Sequence, residues 1–173
     1  MKTLVIYCSK TGFTAQYAQW IAQALAADLV SLAEAKRTDT APYDAIVFGS
    51  WVRAGSVSKL GWFKGHLTQW RDKKLVVFCV GASPMDSPDI APALRRIFGG
   101  PQWKGVHAFY CPGGLNYEKM SLPSRLMMRL FAKTVSRKKD KTPAEEEMAR
   151  VIAASYDISG REYIKPILNC LEG

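Results

Sequence analysis

No apolar stretch in this sequence runs uninterrupted for the roughly 20 residues a helix needs to cross a bilayer. Behind Met1 and Lys2 the apolar run Leu4 to Cys8 is too short for a signal-peptide core, and no cleavage site follows it. Cysteine is scarce: Cys8, Cys79, Cys111 and Cys170 lie far apart, without CxxC or metal-ligand spacing, which argues against zinc and disulfides and for small buried thiols in a reducing compartment. Histidine is scarcer still, and His66 and His107 stand apart from each other and from the cysteines, so each reads as an ordinary structural or surface residue. No Ser/His/Asp arrangement, paired carboxylates or low-complexity linker stands out. What remains is 173 residues, 48% hydrophobic and 23% charged, enough for one domain with a substantial core.

Acidic residues are also in deficit, 15 against 24 Lys and Arg, for a net charge of +9. The excess is local. Between Glu118 and Lys141 lie eight basic residues (Lys119, Arg125, Arg129, Lys133, Arg137, Lys138, Lys139, Lys141) and two acidic ones, a local net of +6.

Short apolar runs alternate with amphipathic stretches. Thr3–Cys8, Ala45–Gly49, Leu75–Val80 and Val106–Tyr110 are continuously hydrophobic and bounded by Gly, Ser, Pro or Asp, the pattern of strands buried on both faces; Asp28–Leu32 is a weaker fifth. Thr14–Ala27, Leu60–Asp72 and Ile90–Phe98 have helical spacing. Strand and helix in alternation predict a doubly wound parallel α/β sheet with helices on both faces, spanning 1–173 as one domain, with a basic helical insertion or extension at about 118–141. Ligands of such sheets bind beyond the carboxyl ends of the strands, which directs attention to the loops Ser9–Thr14, Ser50–Ser58, Gly81–Asp89 and Pro112–Tyr117.

The first loop, Ser9-Lys10-Thr11-Gly12-Phe13-Thr14, follows the first strand and opens the first helix. Three hydroxyls and a glycine converge on unpaired N–H groups and the positive end of the helix dipole, an arrangement suited to a phosphate; a Ser/Thr-rich turn that merely caps the helix is the plainer alternative. The loop is neither a GxxxxGK[ST] nor a GxGxxG motif, and the residue six after Cys8 is Thr14, not the Arg of a phosphatase loop.

This S-x-T-G-x-T pattern after an N-terminal strand resembles the flavodoxin signature, and the resemblance runs along the whole chain through Tyr43–Ser50. The run Gly49-Ser50-Trp51-Val52-Arg53-Ala54-Gly55, and Gly113-Gly114-Leu115-Asn116-Tyr117 before a basic, Met-rich helix, are similar to the menaquinone-dependent protoporphyrinogen IX dehydrogenase branch. The resemblance implies that FMN is the cofactor, with Ser9 to Thr14 holding its phosphate without an Arg or a metal, and with Ser50–Gly55, Gly81–Met85 and Gly114 near its ring. Trp51 is the stacking candidate, or else a partly buried core aromatic. Val52 stands beside it. Arg53 would meet the negative charge of reduced flavin or an acidic substrate, or stay a solvated loop residue. Gly81-Ala82-Ser83-Pro84-Met85 lacks the aromatic many flavodoxins place on the outer flavin face, which leaves that face open or covered by Met85.

After Ser121, Leu122, Leu126, Met127, Leu130, Phe131 and Val135 form the apolar side of a predicted helix, and Arg125, Arg129, Lys133 and Arg137 recur every four residues beside it. Such a helix most simply packs on the sheet with its charges in water. It also suits an anionic membrane surface giving access to a quinone pool, or the carboxylates of a porphyrin; nucleic acid ranks last, since no recognition motif accompanies the charge. The expected location is the cytoplasm, with a peripheral place at the inner face of the cell membrane through this helix. Acidic flavodoxins dock on basic partners, and the opposite sign here argues against a one-electron shuttle, which together with a flavin-free binding module is the alternative to an enzyme. Thr142-Pro143-Ala144-Glu145 and Ser159-Gly160-Arg161-Glu162 read as helix starts, and Pro166 should kink or delay the last helix.

Overall fold

The computed structural model describes residues 1–53, 55–137, 140, 146 and 149–173. Five parallel strands, β1 (Thr3–Tyr7), β2 (Asp28–Ser31), β3 (Ala45–Arg53), β5 (Lys74–Gly81) and β6 (Val106–Pro112), form a sheet in the order β2-β1-β3-β5-β6. A two-residue strand, β4 (Ser56–Val57), folds back antiparallel on the end of β3. Around the sheet stand helices α1 (Phe13–Leu25), α2 (Leu32–Ala35), α3 (Leu60–Gly65), α4 (Ile90–Phe98), α5 (Leu122–Arg137) and α6 (Lys165–Glu172). This is the doubly wound α/β architecture that the alternation predicted.

Successive strand residues face opposite sides, so each buried strand feeds two cores. Val5, Val47, Val76 and Phe78 meet Tyr17 and Ile21 of α1 and Ile167 and Leu171 of α6. Leu4, Ile6, Ile46, Phe48, Val77 and Cys79 face the other way, toward Leu32, Leu60, Phe63 and Trp70. That second core holds an aromatic cluster in which the His66 ring stacks on Trp70 at 4.9 Å and its Nδ1 lies 2.8 Å from the Trp62 carbonyl. His66 is a packing residue. The sheet passes Gly49 beneath the ring of Phe78, its neighbour across the ladder; a Cβ there would sit 1.9 Å from Cζ.

Several elements depart from expectation. β3 does not stop at Gly49 but continues through Arg53, because Ser50-Trp51-Val52-Arg53 has no turn former and pairs onward with β5 and β4. The turn comes at Gly55, with φ of 74°. The helix expected over Leu60–Asp72 ends at Gly65; beyond it Trp70 remains buried, its Nε1 donating to Thr40 Oγ1 at 3.0 Å. Ser159 caps no helix, its hydroxyl instead bonding Asp157. Pro166 delays α6, which follows a 3-10 turn over Arg161–Ile164. The Thr142–Glu145 helix start, Ala54, and Lys138, Lys139 and Lys141 lie outside the described residues.

Beyond β6 the chain leaves the sheet. Strand β7 (Gly114–Leu115) pairs antiparallel with β8 (Tyr156–Asp157), and Leu115, Tyr117 and Ile152 form a small core of their own against Met120, Met128, Ala132 and Val135. The turn after β7 and α5 thus make an arm seated on this satellite core.

Candidate functional site

The loops after β1, β3, β5 and β6 meet at the carboxyl edge of the sheet, where β1 and β3 lead in opposite directions. Here the arm leans over a cleft of ≈ 200 Å³. Lys10, Thr11, Phe13 and Thr14 line its first side; Trp51, Val52 and Arg53 come from the end of β3; Val80, Gly81 and Ala82 from β5; Gly114 and Leu115 from β7. Met120, Ser124, Met127 and Met128 of the arm close it.

The first loop is shaped by backbone rather than by a cap. Gly12 occupies the N-cap of α1 at φ 106°, a conformation costly for any residue with a Cβ, and no side chain caps this end. Ser9 Oγ accepts the Gly12 N–H at 3.2 Å, which uses it inside the loop. No acidic residue stands in the first turn. Among the described residues the hydroxyls of Thr11 and Thr14 have no hydrogen-bond partner in the protein. A dipole end, free N–H groups and two uncommitted hydroxyls form a receptor for an anion with several acceptor oxygens.

Two cleft-lining glycines are fixed by the tyrosines packed against them. A Cβ on Gly81 would lie 2.6 Å from the Tyr110 hydroxyl, and one on Gly114 would lie 2.1 Å from the Tyr156 carbonyl oxygen. The loop after β5 is pinned by those two tyrosines. Tyr110 Oη donates to the Ser83 carbonyl at 2.8 Å and accepts from the Ser83 N–H at 3.0 Å, and Tyr156 Oη donates to the Ala82 carbonyl at 2.7 Å. Burial pushes the Tyr110 phenol up to about 12, and burial also raises that of Tyr156. Both remain neutral donors at any physiological pH.

Four expected residues sit elsewhere. Ser50 is fully buried within β3 and its Oγ has no partner, so it does not reach the cleft. Ser83 faces a neighbouring cleft of ≈ 280 Å³ between the sheet and α4, which shares Val52, Gly81 and Ala82 with the first and is otherwise mostly apolar. Pro84 and Met85 line neither, and Met85 lies on the surface. Arg96 clasps the rim of this second cleft, donating to the Gly55 carbonyl at 3.1 Å.

α5 is turned the other way round from the expected packing. Of its predicted apolar side only Val135 packs inward; Leu122, Leu126, Met127, Leu130 and Phe131 are 48–77% exposed. Their place is taken by Met128, Ala132 and Arg125, whose Nη2 donates to the Glu118 carbonyl at 3.1 Å. Arg129, Lys133 and Arg137 are exposed beside the apolar row and run away from the cleft. Lys10 reaches the arm, its Nζ donating to Ser124 Oγ at 3.2 Å.

Cys79 and Cys111 are inert by environment. Burial raises Cys111 to about 12 and pushes Cys79 above any accessible range; burial also raises Cys8, with Lys59 acting against it. All four cysteines are free, and the described residues hold no group of metal-ligating side chains. Among the described residues that line the cleft there is no Asp, Glu, His, Cys or Tyr.

A family model described as a flavodoxin domain matches residues 4–142. No curated protein matches the chain. Among solved structures it is similar to a Lactobacillus acidophilus flavoprotein in complex with FMN (17% identity, 64% of this chain and 91% of the other, TM-score 0.40). It is also similar to a flavodoxin from the domain Archaea (15% identity, 88% and 94%, TM-score 0.42) and to the Trp repressor binding protein of Bacillus subtilis (18% identity, 81% and 100%, TM-score 0.47). At these identities and scores the likenesses bear on neither the ligand nor the activity of this chain.

Proposed function

The chain belongs to the flavodoxin family, and from that premise we propose that it is an FMN-dependent dehydrogenase of the protoporphyrinogen type that delivers electrons to a quinone. The residues present fit FMN. The uncapped α1 terminus with Thr11 and Thr14 receives the phosphate, the glycines at 81 and 114 let the backbone approach the ring, and Trp51 supplies an aromatic face. When bound, FMN supplies the hydride and electron chemistry. The protein's own residues orient it: the tyrosine-pinned loop after β5 fixes one edge, and Arg53 places a positive charge beside the cleft, where it stabilises negative charge on a reduced ring.

The observation that carries the enzyme reading is the methionine wall that the arm brings to the cleft. Met120, Met127 and Met128 close the cleft, and an apolar cleft adjoins it behind Val52, Gly81 and Ala82. Adaptable thioethers and apolar volume suit a large planar substrate against the ring. The test mixes reduced porphyrin and a menaquinone analogue with the FMN-loaded protein and follows porphyrin fluorescence. Acceleration over free FMN is expected; equal rates overturn the enzyme reading and leave the one-electron carrier.

A second reading rests on its own observation, the exposed row Leu122, Leu126, Leu130 and Phe131 flanked by Arg129, Lys133 and Arg137. Leaving such partly covered side chains in water forgoes about 1–2 kcal/mol each. An anionic membrane surface would cover the apolar row and meet the charges. None of the described helices is long and apolar enough to cross a membrane, so contact would be peripheral. Co-sedimentation with anionic vesicles but not neutral ones is the expected result; equal binding to both, or none, removes it.

A further inference from the structure

One cation approaches the phosphate loop from outside it. The Nζ of Lys119 lies 3.5 Å from the place a Cβ on Gly12 would occupy, at the uncapped terminus of α1. Its backbone is held firmly. Lys119 N–H donates to Asn116 Oδ1 at 3.0 Å, Met120 N–H donates to the Tyr117 carbonyl at 3.3 Å, and the Tyr117 hydroxyl donates to the Ile152 carbonyl at 2.6 Å. The neighbouring acid is already engaged: Glu118 Oε2 accepts from Ser155 at 2.8 Å and its side chain is drawn toward residue 155, not toward Lys119. Among the described residues Lys119 has no ion-pair partner. A cation fixed beside a positive helix terminus is electrostatically unfavourable alone, and becomes favourable when an anion sits between them.

We infer that Lys119, carried on the arm and not on the phosphate loop, binds the terminal phosphate of FMN. This rests on the FMN reading above. The loop alone would offer N–H groups and hydroxyls to a phosphate dianion; Lys119 adds a full charge and a charge-assisted hydrogen bond on the solvent side. It also ties cofactor occupancy to the arm, since the same turn that places Lys119 leads directly into α5.

The measurement is flavin binding to the apoprotein, read by quenching of flavin fluorescence, with FMN and riboflavin as the two probes. Riboflavin has the same ring and ribityl chain without the phosphate. K119A is expected to weaken FMN roughly tenfold, the scale of one charge-assisted hydrogen bond at a partly exposed site, and to leave riboflavin unchanged. FMN affinity of wild type should fall with added salt, that of K119A less so, and K119R should retain most of the wild-type affinity. FMN binding by K119A equal to wild type overturns the assignment. So does a parallel loss of FMN and riboflavin, which marks a damaged cleft. Wild-type protein that binds neither flavin overturns the cofactor reading itself and Lys119's role with it.

Discussion

Removing one oxygen, in Tyr110→Phe, tests whether the loop after β5 is held as the structure indicates. The Tyr110 hydroxyl makes two bonds to the same residue, giving to the Ser83 carbonyl and accepting from the Ser83 N–H. Each contributes about 0.5–1.5 kcal/mol net, so their loss costs about 1–3 kcal/mol, with the upper part reached if the Ser83 groups are left without water. Tyr110 is only 8% exposed, which argues for the upper half. The phenol also links the loop to pH. Its ionisation lies at about 12 when folded, against an ordinary value near 10. Between those values the unfolded chain has released the proton and the folded one has not, so stability falls as pH rises from 10 to about 12 and is unaffected below 10. Tyr17 and Tyr156 are raised in the same direction, so Y110F removes only part of this alkaline loss. Urea unfolding at pH 7 and at pH 10.5 to 12 measures both effects. Y110F with wild-type stability at pH 7, or with an unchanged alkaline slope, refutes the argument.

Gly49→Ala should destabilise by about 2 kcal/mol or more, because the new methyl meets the Phe78 ring at 1.9 Å in a closed core; urea unfolding of G49A in a Phe78→Leu background should show a smaller loss than in wild type. Ser50→Ala should stabilise the protein by up to about 1 kcal/mol in thermal unfolding, since it removes a buried hydroxyl without a partner, and should leave flavin binding unchanged. Cys79 and Cys111 should resist iodoacetamide in the native protein at pH 8 and label fully in urea, as mass spectrometry of the alkylated peptides will report.

The parallel core was legible because strands buried on both faces have nowhere to put polar residues. Leu4 to Ile6, Ile46 to Phe48 and Val76 to Val80 read as unbroken apolar runs, and the structure pairs them side by side. The shape of the loop after β1 was legible for a similar reason: a strand, a glycine and a helix in immediate succession leave little choice of geometry. Other features escaped, the end of β3 and Lys119 among them. The end of β3 carries Trp51 and Val52, which are good strand formers, and the turn signal is Gly55; attending to those would have extended the strand to Arg53. Lys119 had no local signal at all. It sits over Gly12 only because Tyr117 and Asn116 fold the turn back against residues 152–155, more than thirty positions away.

The reversal of α5 bears on which partner its charge serves. Helical periodicity gave α5 one apolar side, and Leu115, Tyr117 and Ile152, distant in sequence, instead hold the poorer face of Met128, Ala132 and Val135. A helix built only to cap the satellite core would do better turned over, with its leucines inside. The charges separate the porphyrin and membrane readings by length. Arg137 lies nine residues beyond Met128, the last arm residue of the cleft, which is about 14 Å along the helix. One substrate at the cleft can meet Lys10 and Arg53, but its carboxylates do not also extend along Arg129, Lys133 and Arg137. A surface accounts for the whole row at once, together with the leucines between. On this division, replacing Lys133 and Arg137 by Gln should abolish vesicle binding and leave FMN affinity and porphyrin oxidation in detergent unchanged. Loss of porphyrin oxidation in detergent by that variant would return those charges to the substrate.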